Sequence, residues 1–418
     1  MSLGAVCLRL SIALCALGFG THAAHAQRAS NRDLERMVAE LLPRVEELSG
    51  LQALAPLNVA SRTREELRAF LTAEVEEEAE SGLLRWSENA YRLLGLMPDS
   101  IDYQEMAVSV LSEEIAGYYV PRTDTLYLLE DVPGLQLRAV VAHEMVHALQ
   151  DQHFELDSLR VHDAGNDRNM ALSAAIEGHA TLVMLLFSLE DALGKPVVLA
   201  DLPDLTRIPL EAMMPGAPSP AMASAPRIMR ESGAFPYVRG LGLAHALRTH
   251  DPAAVPFRDM LPVSTEQIMD PRARFLEARD VPTHVTFGVA DGDAQDSVWR
   301  NVHENTLGQF ELSVLLMERH RLQSESLANG WDGDRYQLLF DGERHALVWY
   351  IVWDDARAAS RFVTAYTQIL RTRMGRSGDV ELLTIDGRPV VRVIEAEEGV
   401  DISTLPRPTL RLEEHLPL

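Results

Sequence analysis

The sequence predicts an α+β protein, and three observations carry that reading. Two short runs rich in β-formers flank Pro121-Arg122-Thr123-Asp124, and two long apolar segments with helical spacing follow them. From about residue 283 the pattern changes to helix, strand, strand, helix, strand, which is a small α+β module. With 418 residues, 47% of them hydrophobic, the chain can bury two or three packed subdomains, and it contains no internal repeat.

Taken in order, residues 1–26 read as a cleavable export signal. Arg9 is the one charge before the apolar run from Leu10 to Gly20, and Ala24-His25-Ala26 supplies the small-x-small pattern before Gln27. The mature protein is therefore expected to be secreted or periplasmic. Cys7 and Cys15 both fall in the leader, so the exported chain would carry neither thiol nor disulfide. Leu14 stands before Cys15, where a lipid anchor needs a small residue.

Residues 27–100 form an N-terminal helical region. Leu34, Met37, Val38, Leu41 and Leu42 make one apolar face, and Thr63-Arg64-Glu65-Glu66 is a capping box for a further helix. The run from Glu74 to Glu80 is expected as a solvated helix face. These helices either pack on the next region or form a prodomain.

Residues 101–282 hold the chemistry. Gly117 to Val120 and Thr125 to Leu129 are the two strands of a hairpin, and Asp131-Val132-Pro133-Gly134 is a turn. Leu135 to Phe154 then has helical spacing and contains His143-Glu144-Met145-Val146-His147. On a helix, residues four apart lie about 40° apart around the axis and about 6 Å along it, so both imidazoles can reach one tetrahedral metal. Glu144 then sits beside the metal without binding it, where a general base for a water belongs.

For the third ligand, one candidate is His153, at the spacing H-E-x-x-H-x-x-x-x-x-H. That arrangement needs a glycine three residues after the second histidine to stop the helix, and this chain has Gln150 there. If the helix continues, His153 points about 240° away from His147 and about 9 Å further on. The other main candidate is Glu177, on a second helix from about Asp167 to Phe187, whose small residues Ala174 and Gly178 would let it pack closely on the first. His179, His162 and Asp151 are further options, and Asp151 could instead orient a ligand imidazole.

Six prolines between Pro203 and Pro226 make a loop of 203–226, read as a surface linker or a lid. Helical spacing resumes from Tyr237 to about His250. Tyr237 and His245 are candidate donors to an oxyanion, Tyr237 the stronger. In the C-terminal module, residues 283–418, helices are expected at Asn305 to Arg319 and Asp355 to Arg373, a hairpin at Arg335 to Phe340 and Ala346 to Trp353, and two strands within Val380 to Ile394. Asp332-Gly333-Asp334 lacks the other loop ligands of a calcium site and is expected to be a turn.

The motif with Glu177 on the following helix resembles the gluzincin metallopeptidases, and a strand pair feeding the motif helix is the zincin order. The stretch His143 to Phe154 with Glu177-Gly178-His179-Ala180, Phe235 to Gly240, Ser264 to Gln267 and Gly330 to Tyr336 is similar to a group of uncharacterised secreted bacterial proteins described as candidate metallopeptidases. The resemblance implies a zincin-like catalytic domain with a small sheet, an active-site helix and a helical second lobe. It also implies His143, His147 and Glu177 as ligands of one zinc ion per chain and Glu144 as catalytic carboxylate, with no particular substrate. Asp270 departs from that group's pattern, which has histidine there.

A formal charge of -24 argues against nucleic acid and anionic membranes as partners. Apart from the leader, the best candidate span, Ala180 to Phe187, has only apolar or near-apolar residues but is far short of the about 20 residues a bilayer span needs. The expected function is zinc-dependent hydrolysis of a peptide or protein substrate with Glu144 as general base. The alternatives are a zinc hydrolase of another amide or ester, and a binding or assembly protein that keeps the metal helix as scaffold.

Overall fold

The computed structural model describes residues 11–14, 30–80, 82–159, 165–207, 218–288, 298–373 and 376–413. Strand β1 (Ser11–Leu14) is followed by helix α1 (Asn31–Ser49), which starts at a capping box of Ser30 and Asp33 and ends at Gly50 in a left-handed conformation. Leu34, Val38, Leu41, Val45 and Leu48 turn one face of α1 to the core. Strand β2 (Asn58–Arg62) lacks the alternation that reveals a strand in sequence, and every residue from Val59 to Arg62 is half-buried. Helices α2 (Arg64–Glu80), α3 (Leu83–Leu93) and α4 (Tyr103–Glu114) complete the N-terminal part. The acidic run in α2 is only half solvated: Glu76 and Glu77 are exposed, whereas Glu74 and Glu78 are buried and Glu74 pairs with Arg122.

Strands β3 (Ile115–Val120) and β4 (Thr125–Leu129) form the expected antiparallel hairpin, with Gly117 opposite Leu128. Strand β2 joins β4 in parallel and β1 joins β3 antiparallel, giving the order β1-β3-β4-β2. Because β1 lies inside the segment expected to be removed, β3 is the sheet edge in a chain that begins near Gln27.

Helix α5 (Gly134–Phe154) packs beneath this sheet. It runs through Gln150 and His153 and stops only at Glu155, which takes a left-handed conformation (φ 50°), so the absence of glycine at 150 has the expected effect. Helix α6 (Gly165–Leu193) reaches beyond both expected ends. By length and composition it could cross a bilayer, contrary to the count of uninterrupted apolar residues, because Ala, Gly and Thr between the larger side chains keep its average hydropathy high. In the fold 94% of its most apolar window is buried, which makes it the central core helix. Helix α7 (Arg227–His250) starts ten residues earlier than its sequence pattern indicates and contains Pro236. A proline loses one interior helix bond, but packing such as Phe235 on Phe310, with ring centroids 4.1 Å apart, outweighs that loss here. Asp270, the departure from the resembled group, caps the helical turn Pro271–Glu277 by accepting from the Ala273 amide at 3.2 Å. Residues 208–217 of the proline-rich loop lie outside the described residues.

In the C-terminal part, β5 (His284–Phe287) pairs with β11 (Leu410–Glu413). Between them, β6 (Arg300–Asn305), β7 (Trp331–Phe340), β8 (His345–Trp353), β9 (Arg376–Ile385) and β10 (Arg388–Glu397) form an antiparallel sheet ordered β6-β7-β8-β10-β9. Helices α8 (Gly308–His320) and α9 (Ala356–Leu370) complete the module. Strand β8 is apolar at every position from Ala346 because both its faces are covered. Leu347, Trp349, Ile351 and Trp353 join the main core, and Ala346, Val348, Tyr350 and Val352 join a second cluster with Val285 and Trp299. Asp332-Gly333-Asp334 is not the expected turn but the bulged start of β7. Buried Asp334 accepts from the Leu307 and Gly308 amides and from the indoles of Trp331 and Trp349, all at 2.8–3.0 Å, and four such donors need a strand to aim the carboxylate inward.

One apolar core runs from Leu34 in α1 to Val393 in β10, through every region. A buried polar joint fixes the start of α6 within it. The Asn166 amide donates to Asn305 (2.9 Å), its side chain donates to Tyr91 (2.8 Å), and Tyr91 donates to Glu311 (2.7 Å). Asp167 accepts from the Thr265 amide (3.0 Å) and hydroxyl. Burial pushes the Asp167 carboxyl up to about 7 and that of Glu311 up to about 8.

Candidate metal centre

Residues His143, Glu144 and His147 occupy the middle of α5, and all three are fully buried. Glu177 comes from the middle of α6, also buried. The His143 and His147 Nε2 atoms lie 3.0 Å apart, and Glu177 Oε2 is 3.2 Å from the first and 3.3 Å from the second. Bonds of about 2.0–2.1 Å at tetrahedral angles put ligand atoms about 3.3 Å from one another, so this donor set fits a zinc-like ion. These three residues could hold a metal ion.

Without a metal the electrostatics are those of an ion pair. Burial opposes protonation of His147, but the Glu177 carboxylate outweighs it and raises the imidazole to about 9. Burial likewise opposes charge on Glu177, and His147 and His143 together pull its carboxyl below the usual range. Burial lowers His143. These three buried groups depend on one another for their charge, and buried charges of this kind need a partner such as each other or a metal ion.

Backbone contacts set the geometry. Gly117 of β3 lies against α5, where a Cβ would come 2.9 Å from Val140 Cγ1 and 3.1 Å from Glu144 Cγ. The absence of a side chain there lets Glu144 occupy its position under β3. The helix that approaches Gly178 most closely is α7, not α5 as expected: a Cβ on Gly178 would stand 2.5 Å from Gly240 Cα. Gly240 is the missing half of that contact, and it sits one turn after Tyr237. The crossing brings half-buried Tyr237 against the site, its ring stacked on His143 with centroids 6.3 Å apart.

The remaining candidates go elsewhere. His153 Nε2 meets the Gln52 carbonyl at 2.7 Å, and α5 carries it away from the cluster as the unbroken helix requires. Asp151 accepts from Tyr119 (2.8 Å) and from the Leu156 amide (2.9 Å), so it orients no ligand imidazole. That task falls to Gln150, whose Oε1 lies 2.9 Å from His147 Nδ1. His179 is neither ligand nor surface group: it is buried, driven down to about 3 by that burial, and bonded to Gln150 and to the Ser49 carbonyl. His245 is buried near Asp204 and Arg272, two turns beyond Tyr237 on α7, and forms no part of the cluster. His162 lies outside the described residues. Sequence reading missed Gln150, Gly117 and Gly240; Gln150 was visible only as the residue that blocks another ligand arrangement.

A family model described as a domain of unknown function, DUF8575, matches residues 296–408, about a quarter of the chain and all of it C-terminal to these residues. No curated protein matches the chain. Among solved structures, a Chloroflexus aurantiacus protein described as "a putative hydrolase with a novel fold" is similar at a TM-score of 0.32 and 16% identity, over 65% of this chain and 95% of that one.

Proposed function

We propose that the chain is a secreted or periplasmic zinc-dependent metallopeptidase of the gluzincin type. The observation that carries this reading is the convergence of His143 Nε2, His147 Nε2 and Glu177 Oε2 within 3.0–3.3 Å of one another in a buried site, with Glu144 beside them on α5. His143, His147 and Glu177 would hold one zinc ion. Zinc bound there supplies a Lewis acid that polarises a carbonyl and makes a water acidic near neutral pH. Glu144 accepts the proton of the attacking water and passes it to the departing amine, which leaves as a neutral molecule. The Tyr237 hydroxyl donates to the substrate oxygen that gains negative charge, from its position against His143. The substrate is a peptide or protein.

The test combines metal content with cleavage of a peptide library by the purified chain. Near one zinc per chain is expected in the wild type, lost in Glu177→Ala and kept in His153→Ala. Cleavage is expected to vanish in Glu144→Gln with zinc retained. A wild type that takes up no zinc when folded with the metal refutes the reading, and cleavage that survives Glu144→Gln refutes the role of that carboxylate.

A further inference from the structure

We infer that Gln150 and His179 are positioning residues that hold His147 in one tautomer, Nδ1–H with a bare Nε2, and that the backbone of the N-terminal helical region anchors them. The inference rests on the reading of His143, His147 and Glu177 as metal ligands.

Two backbone carbonyls, those of Ser49 and Ile176, can only accept. The Ser49 carbonyl at the end of α1 lies 3.0 Å from His179 Nε2, so that nitrogen carries the proton. The neutral ring then presents Nδ1 as an acceptor, and Gln150 Nε2 donates to it at 3.2 Å. The second proton on Gln150 Nε2 goes to the Ile176 carbonyl at 3.0 Å. Both contacts exclude the flipped amide, in which Oε1 would face a carbonyl. Gln150 Oε1 must therefore face His147 Nδ1, 2.9 Å away, and that nitrogen must donate. The lone pair of His147 is left on Nε2, the atom that faces His143 and Glu177. All four groups are buried, so water cannot substitute for any of them. A glutamine amide here performs the orienting task that carboxylates and carbonyls perform for many ligand histidines.

The anchor is itself secured. Arg44 of α1 binds Glu190 of α6 with two bonds, the Leu48 carbonyl accepts from Arg248 of α7, and Gln152 of α5 accepts from the Leu54 amide at 2.7 Å. The N-terminal region therefore supports the metal site from behind.

The test uses the full-length chain labelled with nitrogen-15 at histidine. In the zinc-loaded protein, long-range proton–nitrogen spectra should show His147 as Nδ1–H and His179 as Nε2–H. Chelator competition should show zinc binding weakened about 10- to 100-fold in Gln150→Leu, with partial recovery in Gln150→Glu, which restores the acceptor for His147. Wild-type affinity in Gln150→Leu, or a proton on His179 Nδ1, overturns the inference while leaving the metal ligands in place. If Gln150→Leu does not fold, the wild-type tautomers still decide. A wild type that binds no zinc overturns the metal reading first and this inference with it.

Discussion

Replacing Gly178 by alanine tests how the helix crossing governs the metal centre. The new Cβ would stand 2.5 Å from Gly240 Cα and closer still to the Gly240 carbonyl. Carbon atoms in contact prefer about 3.5–4.0 Å, so α6 and α7 must separate by about 1 Å, and neither side can yield by rotating a side chain because both are backbone. Overpacking of this kind costs about 1–3 kcal/mol, and the rigidity of the opposing backbone favours the upper end. Alanine returns up to about 1 kcal/mol through its better helix propensity, leaving a net loss of about 2 kcal/mol. The larger effect is local. Glu177 precedes the substituted residue and Tyr237 lies one turn before Gly240, so separation moves both away from His143, and a displacement of about 1 Å can cost about 100-fold in rate. Urea unfolding measures the first effect; zinc competition and peptide cleavage measure the second. Gly134→Ala is the control, because a Cβ there meets nothing within 4 Å. If Gly178→Ala unfolds at the wild-type midpoint and keeps wild-type zinc affinity and cleavage, the crossing does not position the site.

Three further expectations can be checked together. Gly117→Ala presses on Val140 and Glu144, so cleavage should fall at least 10-fold with zinc content unchanged; loss of zinc instead would mean that the strand supports the ligands rather than Glu144. The folded-state values of Asp167 and Glu311 lie above those of free carboxyls, so the folded chain keeps protons that the unfolded chain releases above about pH 4. Their contribution is complete below that pH and is lost as pH rises through 7 to 8, so melting temperature should fall across this window, less steeply in Asp167→Asn; equal slopes would exclude Asp167 as a source. Arg373→Met removes the ion-pair partner of Glu395, fully buried on β10, leaving it the Tyr366 hydroxyl and the weaker influence of Arg376, and should destabilise the chain by about 3–5 kcal/mol; a melting temperature within a degree of wild type would show that the pair contributes nothing net.

The sequence was most legible where one local rule decides the outcome. The β3–β4 hairpin, helix α5 and the C-terminal strands follow from turn residues and periodicity, and the continuation of α5 past His153 follows from the single fact that residue 150 is not glycine. The five residues of β2 were not legible, because a strand pairing in parallel with a distant partner shows neither a turn signal nor alternation. The start of α7 was hidden by Pro236, a local breaker that packing overrides. At the site, a fixed spacing on one helix points His143 and His147 the same way, whereas the contact between α6 and α7 depends on two glycines 62 positions apart. Nothing local distinguishes Gly178 meeting Gly240 from Gly178 meeting α5. Gln150 escaped for a related reason: beyond its own helix its partners are Ile176 and His179 of α6, and His179 is held in turn by Ser49 of α1.

Helix α6 also bears on how the chain is made. Before it is enclosed by its neighbours, a segment of 29 residues with this composition has the length and hydropathy of a bilayer span. Glu177 lies within two residues of the midpoint of that segment, where an ionised side chain costs about 2.5–3.5 kcal/mol on entering a bilayer as judged by the related cost for aspartate. The carboxylate that completes the candidate metal site thus also disfavours burial of this helix in lipid.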